Sequence, residues 1–406
     1  MNIQRNIFEQ LKQHLPYKEY SILVGARQIG KSTLLRQLEI FCKVENIPCT
    51  FLNLENKAVL AQLDEHPLNL INFLPGTDSR TVVFIDEVQY LKDPSNFLKL
   101  IYDEYAERIK IVATGSSAFY IDKSFNDSLA GRKRLFKLHT CSFDEHLRLS
   151  GREDLLYEVR KLQQNVKARS ASIEELRNEW YGYMLYGGYP AVVKERNVAE
   201  KVNRLREIRD SYVKRDVLEA GVQNEIAFYN LFRMMAAHPG SLINVSELSK
   251  VLRIKDETVQ HYLFVLQKCF HVALVKPFFR NVNKELVKMP KAYLMDAGVR
   301  NSLISNFQPV PLRLDKGELW ENACYRLLAD IYPSDEVFFW RTADRNEVDF
   351  VLPNSEPPCA IEVKYNADKA QRGKYKKFED MYPDMQLYFA CMEPFRENFF
   401  RSFSSI

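Results

Sequence analysis

Two apolar rhythms alternate over the first 140 residues. Ser21–Val24, Cys49–Leu54, Thr81–Ile85 and Lys110–Ala113 are short, nearly unbroken apolar runs of the kind that form strands buried on both faces. Between them apolar positions recur at helical spacing: around Ile3–His14, at Leu34, Leu35 and Leu38, in a stretch reaching about Phe73, and over Asn96–Tyr105. The alternation predicts an α/β domain. From about 144 to 220 the pattern is helical and charged, broken at 186–190 by Tyr-Gly-Gly-Tyr-Pro. Near 225 it changes again. Ser246–Leu252 and Asp256–Leu266 read as short amphipathic helices joined by a tight turn at Arg253–Lys255, followed by the hairpin-like Val272–Pro277 and Lys291–Met295. That is the order of a winged helix-turn-helix. The last hundred residues read α-β-β-β-α-β: a helix from Gly317, strands Val337–Arg341, Glu347–Leu352 and Ala360–Tyr365, a helix near 368–382 and a strand Gln386–Ala390. These changes divide the chain into 1–143, 144–224, 225–305 and 306–406.

The first strand runs into Gly25-Ala-Arg-Gln-Ile-Gly-Lys-Ser-Thr33, a G-x-x-x-x-G-K-[ST] loop between a strand and a helix. Its glycines let the backbone N–H groups of Gly25, Ala26, Arg27, Gln28, Ile29 and Gly30 curl around one concavity, and the N-terminus of the next helix, through Thr33, favours an anion there. Lys31 is placed to reach the β- and γ-phosphates of ATP, and the Ser32 hydroxyl to hold Mg²⁺. A Gly-rich turn can serve packing alone, but a chance match to the full pattern arises in roughly one chain in a few hundred.

Thr81–Gln89 ends a buried strand in the adjacent carboxylates Asp86 and Glu87, a Walker B pattern. Asp86 is expected to hold Mg²⁺ with Ser32 and water, and Glu87 to orient or deprotonate the attacking water. Acid pairs also end strands at ordinary surfaces; the upstream loop gives this one its meaning. Lys110–Ser117 is another buried strand, and Thr114 and Ser116 at its end are candidate γ-phosphate sensors, with helix capping as the alternative. In the basic turn Gly131–Arg134, Arg132 is a candidate arginine finger for a neighbouring subunit, against the commoner role of a solvated turn. Residues 144–224 are expected to form a helical lid over the nucleotide.

The late strands carry a second constellation. Asp349 on one strand and Glu362-x-Lys364 on the next form the PD-(D/E)xK pattern. Asp349 and Glu362 can bind Mg²⁺, the helix acid Glu321 can complete the shell, and Lys364 can orient or activate water for phosphodiester hydrolysis. So short a motif also arises on unrelated hairpins, and such a pocket can bind without cutting. The second helix of the winged-helix stretch carries Lys255, Gln260 and His261 but no arginine, and starts with Asp256 and Glu257, so DNA contact and protein packing both stay open.

Composition narrows the setting. The net charge of +4, from 57 basic and 53 acidic residues, permits nucleic-acid binding without indicating it. No apolar run approaches the roughly 20 residues of a membrane span, and MNIQRNIFEQLKQHL lacks the apolar core of a signal peptide; a cytoplasmic protein with no membrane partner is expected. Seven cysteines without a C-x-x-C pair argue against a disulfide framework or a zinc site and predict reduced thiols packed as small apolar residues.

The segments GARQIGKST, VVFIDEVQ, VATGSSAF, LAGRKRLFKL, YGGYPAVV, EVDFVL and AIEVKY resemble, across nearly the whole chain, the prokaryotic ATPases related to the archaeal STAND/AAA+ class. The resemblance implies an AAA-type core with a parallel five-stranded sheet, and Lys31, Ser32, Asp86 and Glu87 in the usual roles with ATP and Mg²⁺. It also implies Arg132 in the family's glycine-arginine turn, a C-terminal winged helix, and an α/β restriction-endonuclease-like domain in which Glu321, Asp349, Glu362 and Lys364 match the nuclease-like residues. Two readings of the whole follow. One is an ATP-driven enzyme acting on DNA, oligomeric if the arginine finger acts in trans. The other is a nucleotide-operated switch that engages a protein partner, its nuclease-like fold not cutting.

Overall fold

The computed structural model describes residues 4–76, 79–115, 129–165, 167–219, 221–279 and 289–396, the side chains of 212–219 excepted. The chain forms two compact units: Met1–His139 with Leu218–Gly221 and Lys268–Phe270, and the remainder.

The first unit is built on a parallel five-stranded sheet, as expected. Its strands are β1 (Tyr20–Val24), β2 (Cys49–Asn53), β3 (Thr81–Asp86), β4 (Ile109–Gly115) and β5 (Lys133–Lys137), in the spatial order β2-β3-β4-β1-β5. Every residue of β1, β3 and β4 is buried, the reason these runs are continuously apolar rather than alternating. The edge strand β5 buries Phe136 alone. Helix Lys31–Val44 buries Leu34, Leu35 and Leu38. Helix Pro94–Tyr105 begins with Pro94 in its first turn, its N-cap Asp93 accepting from the Asn96 N–H, and buries Phe97, Leu98 and Ile101. From β1 the chain crosses to β2 at the far edge and returns through β3 and β4. With Val24 opposite Gly115 and Ile85 opposite Ala113, the C-terminal ends of β1, β3 and β4 share one edge. In an open α/β sheet that reversal of strand order is where ligands bind.

The second unit carries a six-stranded mixed sheet. Its strands are β6 (Val272–Pro277), β7 (Lys291–Leu294), β8 (Phe338–Arg341), β9 (Glu347–Leu352), β10 (Cys359–Asn366) and β11 (Gln386–Glu393), in the order β11-β10-β9-β8-β6-β7. Helix Lys316–Ile331 buries Trp320, Ala323, Cys324 and Leu328 in one core with Phe350, Leu352, Ile361 and Val363. Tyr375, Phe378 and Tyr382 pack with Trp340, Ala360 and Leu387 in a second core.

Where the pattern predicts a helix-turn-helix, the chain forms the helices Val245–Leu252 and Asp256–Lys268, with Arg253 in the left-handed conformation at the turn, φ 54°. The hairpin after it does not stand alone. Lys276 and Pro277 of β6 pair with Phe338 and Phe339 of β8, covering an edge that a lone hairpin would leave unpaired. The helices read as a nucleotide lid also share this unit's core: the Trp180 ring meets the Trp320 ring edge-on at 6.1 Å, and Tyr183, Met184 and Leu185 are buried with it. Their apolar faces are too large to stay in water, and here the helix Lys316–Ile331 covers them. The Tyr-Gly-Gly-Tyr-Pro break is a packing device. The Gly188 N–H donates to Asp296 Oδ2 at 2.8 Å, and a Cβ on Gly188 would lie 2.3 Å from the Cys141 carbonyl oxygen.

All seven cysteines are free thiols, and Cys42, Cys141, Cys269, Cys324 and Cys359 are buried. Among the described residues no helix is long and apolar enough to cross a membrane.

Candidate functional site

The loop that follows β1 is shaped by close approach. A Cβ on Gly25 would lie 2.2 Å from the Leu138 carbonyl oxygen, and Gly30 has φ +95°, a conformation that side chains disfavour. Arg5, which the sequence did not single out, braces the loop by donating to the Ile29 carbonyl at 2.9 Å and the His139 carbonyl at 2.7 Å. Gly30 caps helix Lys31–Val44, whose first-turn N–H groups have no acceptor within the helix. Ser32 and Thr33 are exposed there, as is Gln28, while Gly25, Ala26 and Ile29 are buried and Arg27 is half-buried. Lys31 is buried, its Nζ donating to the carbonyls of Gly25 at 2.9 Å and Ala26 at 2.7 Å. The ammonium is thus held by the loop it belongs to.

Asp86 and Glu87 sit at the same edge, two strands away, a separation of roughly 10 Å at the usual strand spacing. The intervening strand β4 supplies Thr114. Its Oγ1 donates to Asp86 Oδ1 at 2.5 Å and accepts from the Glu87 N–H at 2.9 Å. Thr114 is wholly buried, and its hydroxyl braces the acid pair. Glu87 has φ +61°, a left-handed conformation that costs a non-glycine residue about 1–2 kcal/mol, and its carboxylate accepts from Gln89 Nε2. Such local strain at a strand end is a frequent companion of function. Ser116 lies outside the described residues.

Arg132 is at the opposite end of the sheet. Its carbonyl accepts from the N–H of Tyr20, the first residue of β1, whereas the phosphate loop follows the last. The guanidinium pairs with Asp103 at 2.9 Å and lies over the Tyr102 ring. Because β5 runs parallel to β1, the turn before β5 must lie at the strand-start end. Within one chain it does not meet Lys31, Asp86 or Glu87.

In the second unit, Glu321, Asp349, Glu362 and Lys364 come together. Phe338 pairs with Val351 and Trp340 with Val348, three steps on β9 against two on β8, a β-bulge that re-aims Asp349. The β9–β10 pairing runs to Phe350 opposite Ile361, and just beyond it Asp349 Oδ2 accepts from the Val363 N–H at 2.9 Å. Asp349 therefore sits in the notch where the two strands part. Glu362 Oε1 accepts from Tyr375 Oη at 2.6 Å and from Lys364 Nζ, while its Oε2 is buried without a partner among the described residues.

A lysine the sequence reading did not select lies among these acids. Lys291 of β7, 2% exposed, pairs with Glu347 at 2.6 Å, Glu321 at 3.3 Å and Asp349 at 3.5 Å. Tyr293, two residues on, donates to Glu321 Oε1 at 2.7 Å. Burial, and then the charge of Asp349, pushes the carboxyls of Glu321 and Glu362 up to about 7, against the pull of Lys291 and Lys364 respectively. Burial disfavours the Lys291 ammonium, but Glu321, Asp349 and Glu347 outweigh it and the amine is raised. Among the described residues no three His, Cys, Asp or Glu side chains form a ready metal cage.

Comparison with known proteins divides along these units. Residues 17–147 match the family described as AAA domain; residues 177–310 and 316–396 match two domains of unknown function, DUF8612 and DUF4143. An uncharacterized protein of Mycobacterium tuberculosis is 24% identical over 365 residues, covering 89% of this chain and 74% of its own. One from Methanocaldococcus jannaschii is 25% identical over 341 residues, covering 77% and 67%. Among solved structures, the Thermotoga maritima RuvB Holliday junction branch migration motor aligns at TM-score 0.34 and 14% identity over 69% of this chain and 93% of that one. The replication initiator DnaA bound to AMPPCP and single-stranded DNA aligns at 0.29 and 14%, over 64% and 86%. With a phosphate loop and an acid pair on one edge of a parallel sheet, and the AAA-domain match over the same residues, the chain carries a P-loop ATPase core of the AAA type.

Proposed function

We propose that this chain is a Mg²⁺-dependent ATP hydrolase whose C-terminal carboxylate notch acts on DNA. The observation that supports it most is the Thr114 bridge, which ties Asp86 and Glu87 to β4, the strand next to the phosphate-loop strand. The loop amides and the first turn of helix Lys31–Val44 bind the phosphates, and Lys31 exchanges the Gly25 and Ala26 carbonyls for β- and γ-oxygens. The exposed Ser32 hydroxyl and the Asp86 carboxylate are hard oxygen donors that fit Mg²⁺, which supplies charge neutralisation on the phosphates. Glu87, held by Gln89, positions the attacking water.

At the second site the orphaned Glu362 Oε2 fits a hard cation, with Asp349 and Glu321 as further ligands and Lys364 to orient water. Helix Asp256–Lys268 favours the alternative of a switch with a protein partner: it exposes Asp256, Glu257, Gln260, His261 and Phe264, an acidic and aromatic face ill-suited to phosphates. The two readings separate in one experiment, Mg²⁺-dependent cleavage of linear, branched and single-stranded DNA, with and without ATP, by wild type and Asp349→Ala. ATP-sensitive cutting lost in the variant supports the first. No cutting by either protein moves the assignment to the switch.

A further inference from the structure

Lys291 is a buried ammonium that neither proposed reaction uses. It enters on β7, lies over the Phe339 ring and is held by three carboxylates, of which Glu321 and Asp349 are ligands the hydrolytic site needs. Oxygen donors converging on one positive centre are what a hard cation requires, and here the centre is an amine of the chain itself. Charge balance points the same way. When all four are ionised, the carboxylates of Glu321, Glu347, Asp349 and Glu362 face three bases: Lys291, Lys364 and Arg341, which pairs with Glu347 at 2.8 Å. Without Lys291 the excess is two negative charges, the charge of one divalent cation.

We infer that Lys291 is the resident counter-ion of the C-terminal carboxylate site and competes with a divalent cation for Glu321 and Asp349. The site accepts a metal ion only as Lys291 leaves it. This inference rests on the reading that these carboxylates can take a divalent cation.

The competition is a matter of equal charge at one place. A lysine that only filled space would leave no cation affinity behind when replaced by methionine. One that stands in for the metal leaves a vacant, doubly negative and largely dehydrated pocket, in which a divalent ion regains the lost attraction.

The test is Mn²⁺ binding in the absence of nucleotide, followed by calorimetry and by the shift of the thermal midpoint, for the full chain, Lys291→Met, and Lys291→Met combined with Asp349→Asn. Lys291→Met is expected to bind Mn²⁺ about tenfold or more tighter than wild type, to gain thermal stability from it, and to lose both effects with Asp349→Asn. Since unpaired buried carboxylates can prevent folding, Lys291→Met is also made with Glu321→Gln, which removes one of them and keeps Asp349 and Glu362. Mn²⁺ bound by wild type as tightly as by Lys291→Met, and lost with Asp349→Asn, overturns the competition while keeping the cation site. No Mn²⁺ bound by either folded Lys291→Met protein overturns the cation reading itself.

Discussion

Thr114 donates to Asp86 at 2.5 Å and accepts from the Glu87 N–H at 2.9 Å, so a single hydroxyl fixes both members of the acid pair. It does so from β4, the strand that separates β3 from the phosphate-loop strand β1. The positions of the groups proposed to bind phosphate and to handle water are thereby referred to one sheet.

Thr114→Val keeps the shape and removes that hydroxyl. It leaves a buried carboxylate oxygen and the Glu87 N–H without their partner, at a cost of about 1–3 kcal/mol in urea unfolding. ATP turnover should fall by a larger factor than ATP affinity. Turnover equal to wild type would make Thr114 a packing residue only.

Glu87→Gln retains the loop, Lys31 and Asp86 and removes the carboxylate proposed to orient or deprotonate water. Nucleotide affinity should stay within experimental error of wild type while turnover drops by about 10²–10⁴-fold, the usual range for a general base. Undiminished phosphate release would take Glu87 out of the reaction.

Lys110 and His14 predict an unusual pH profile. Burial, with the charge of Arg80, pushes the Lys110 amine from 10.5 down to about 7; burial, with Lys110 and Arg134, pushes His14 from 6.5 down to about 4. Both folded values lie below the unfolded ones, so in each interval the unfolded chain holds more protons and stability rises with pH. The first unit should gain stability between about pH 4 and 6.5, and again between about 7 and 10.5. Lys110→Met should abolish the second rise in chemical denaturation measured across that range. A slope that survives the substitution would assign it to another group.

Gly188→Ala places a Cβ 2.3 Å from the Cys141 carbonyl oxygen and displaces the segment that donates to Asp296. Overpacking of this kind costs about 1–3 kcal/mol. The denaturation midpoint of the second unit should fall accordingly, and an unchanged midpoint would show that the break relaxes freely.

Local chemistry made much of this readable beforehand. β1, β3 and β4 are apolar runs because they are buried on both faces, and the loop and the Asp86–Glu87 pair are each contiguous in sequence. Asp349, Glu362 and Lys364 also lie on neighbouring strands of one short stretch. What was hidden depends on register between distant segments. The hydrogen bonds of Thr114 to Asp86 and Glu87 at the end of β3 are invisible in its own strand. The place of Arg132, at the strand-start end of the sheet, follows from the parallel pairing of β5 with β1 and leaves it only a role towards a neighbouring subunit. Lys291 gives no spacing signal, being a lone lysine at the start of the apolar run Ala292–Met295; a lysine beginning a buried strand was the one available hint. The union of β6 with β8 rests on two residue pairs, too few to leave a pattern.

Equilibrium binding of Mg²⁺-ATP to Lys31→Ala, beside wild type, tests the nucleotide site most directly. Removing the charge partner of the phosphates should weaken binding by about a hundredfold or more while the fold, monitored by its unfolding transition, persists. ATP bound by the folded variant with wild-type affinity would contradict the assignment of Gly25–Thr33 as the phosphate-binding loop.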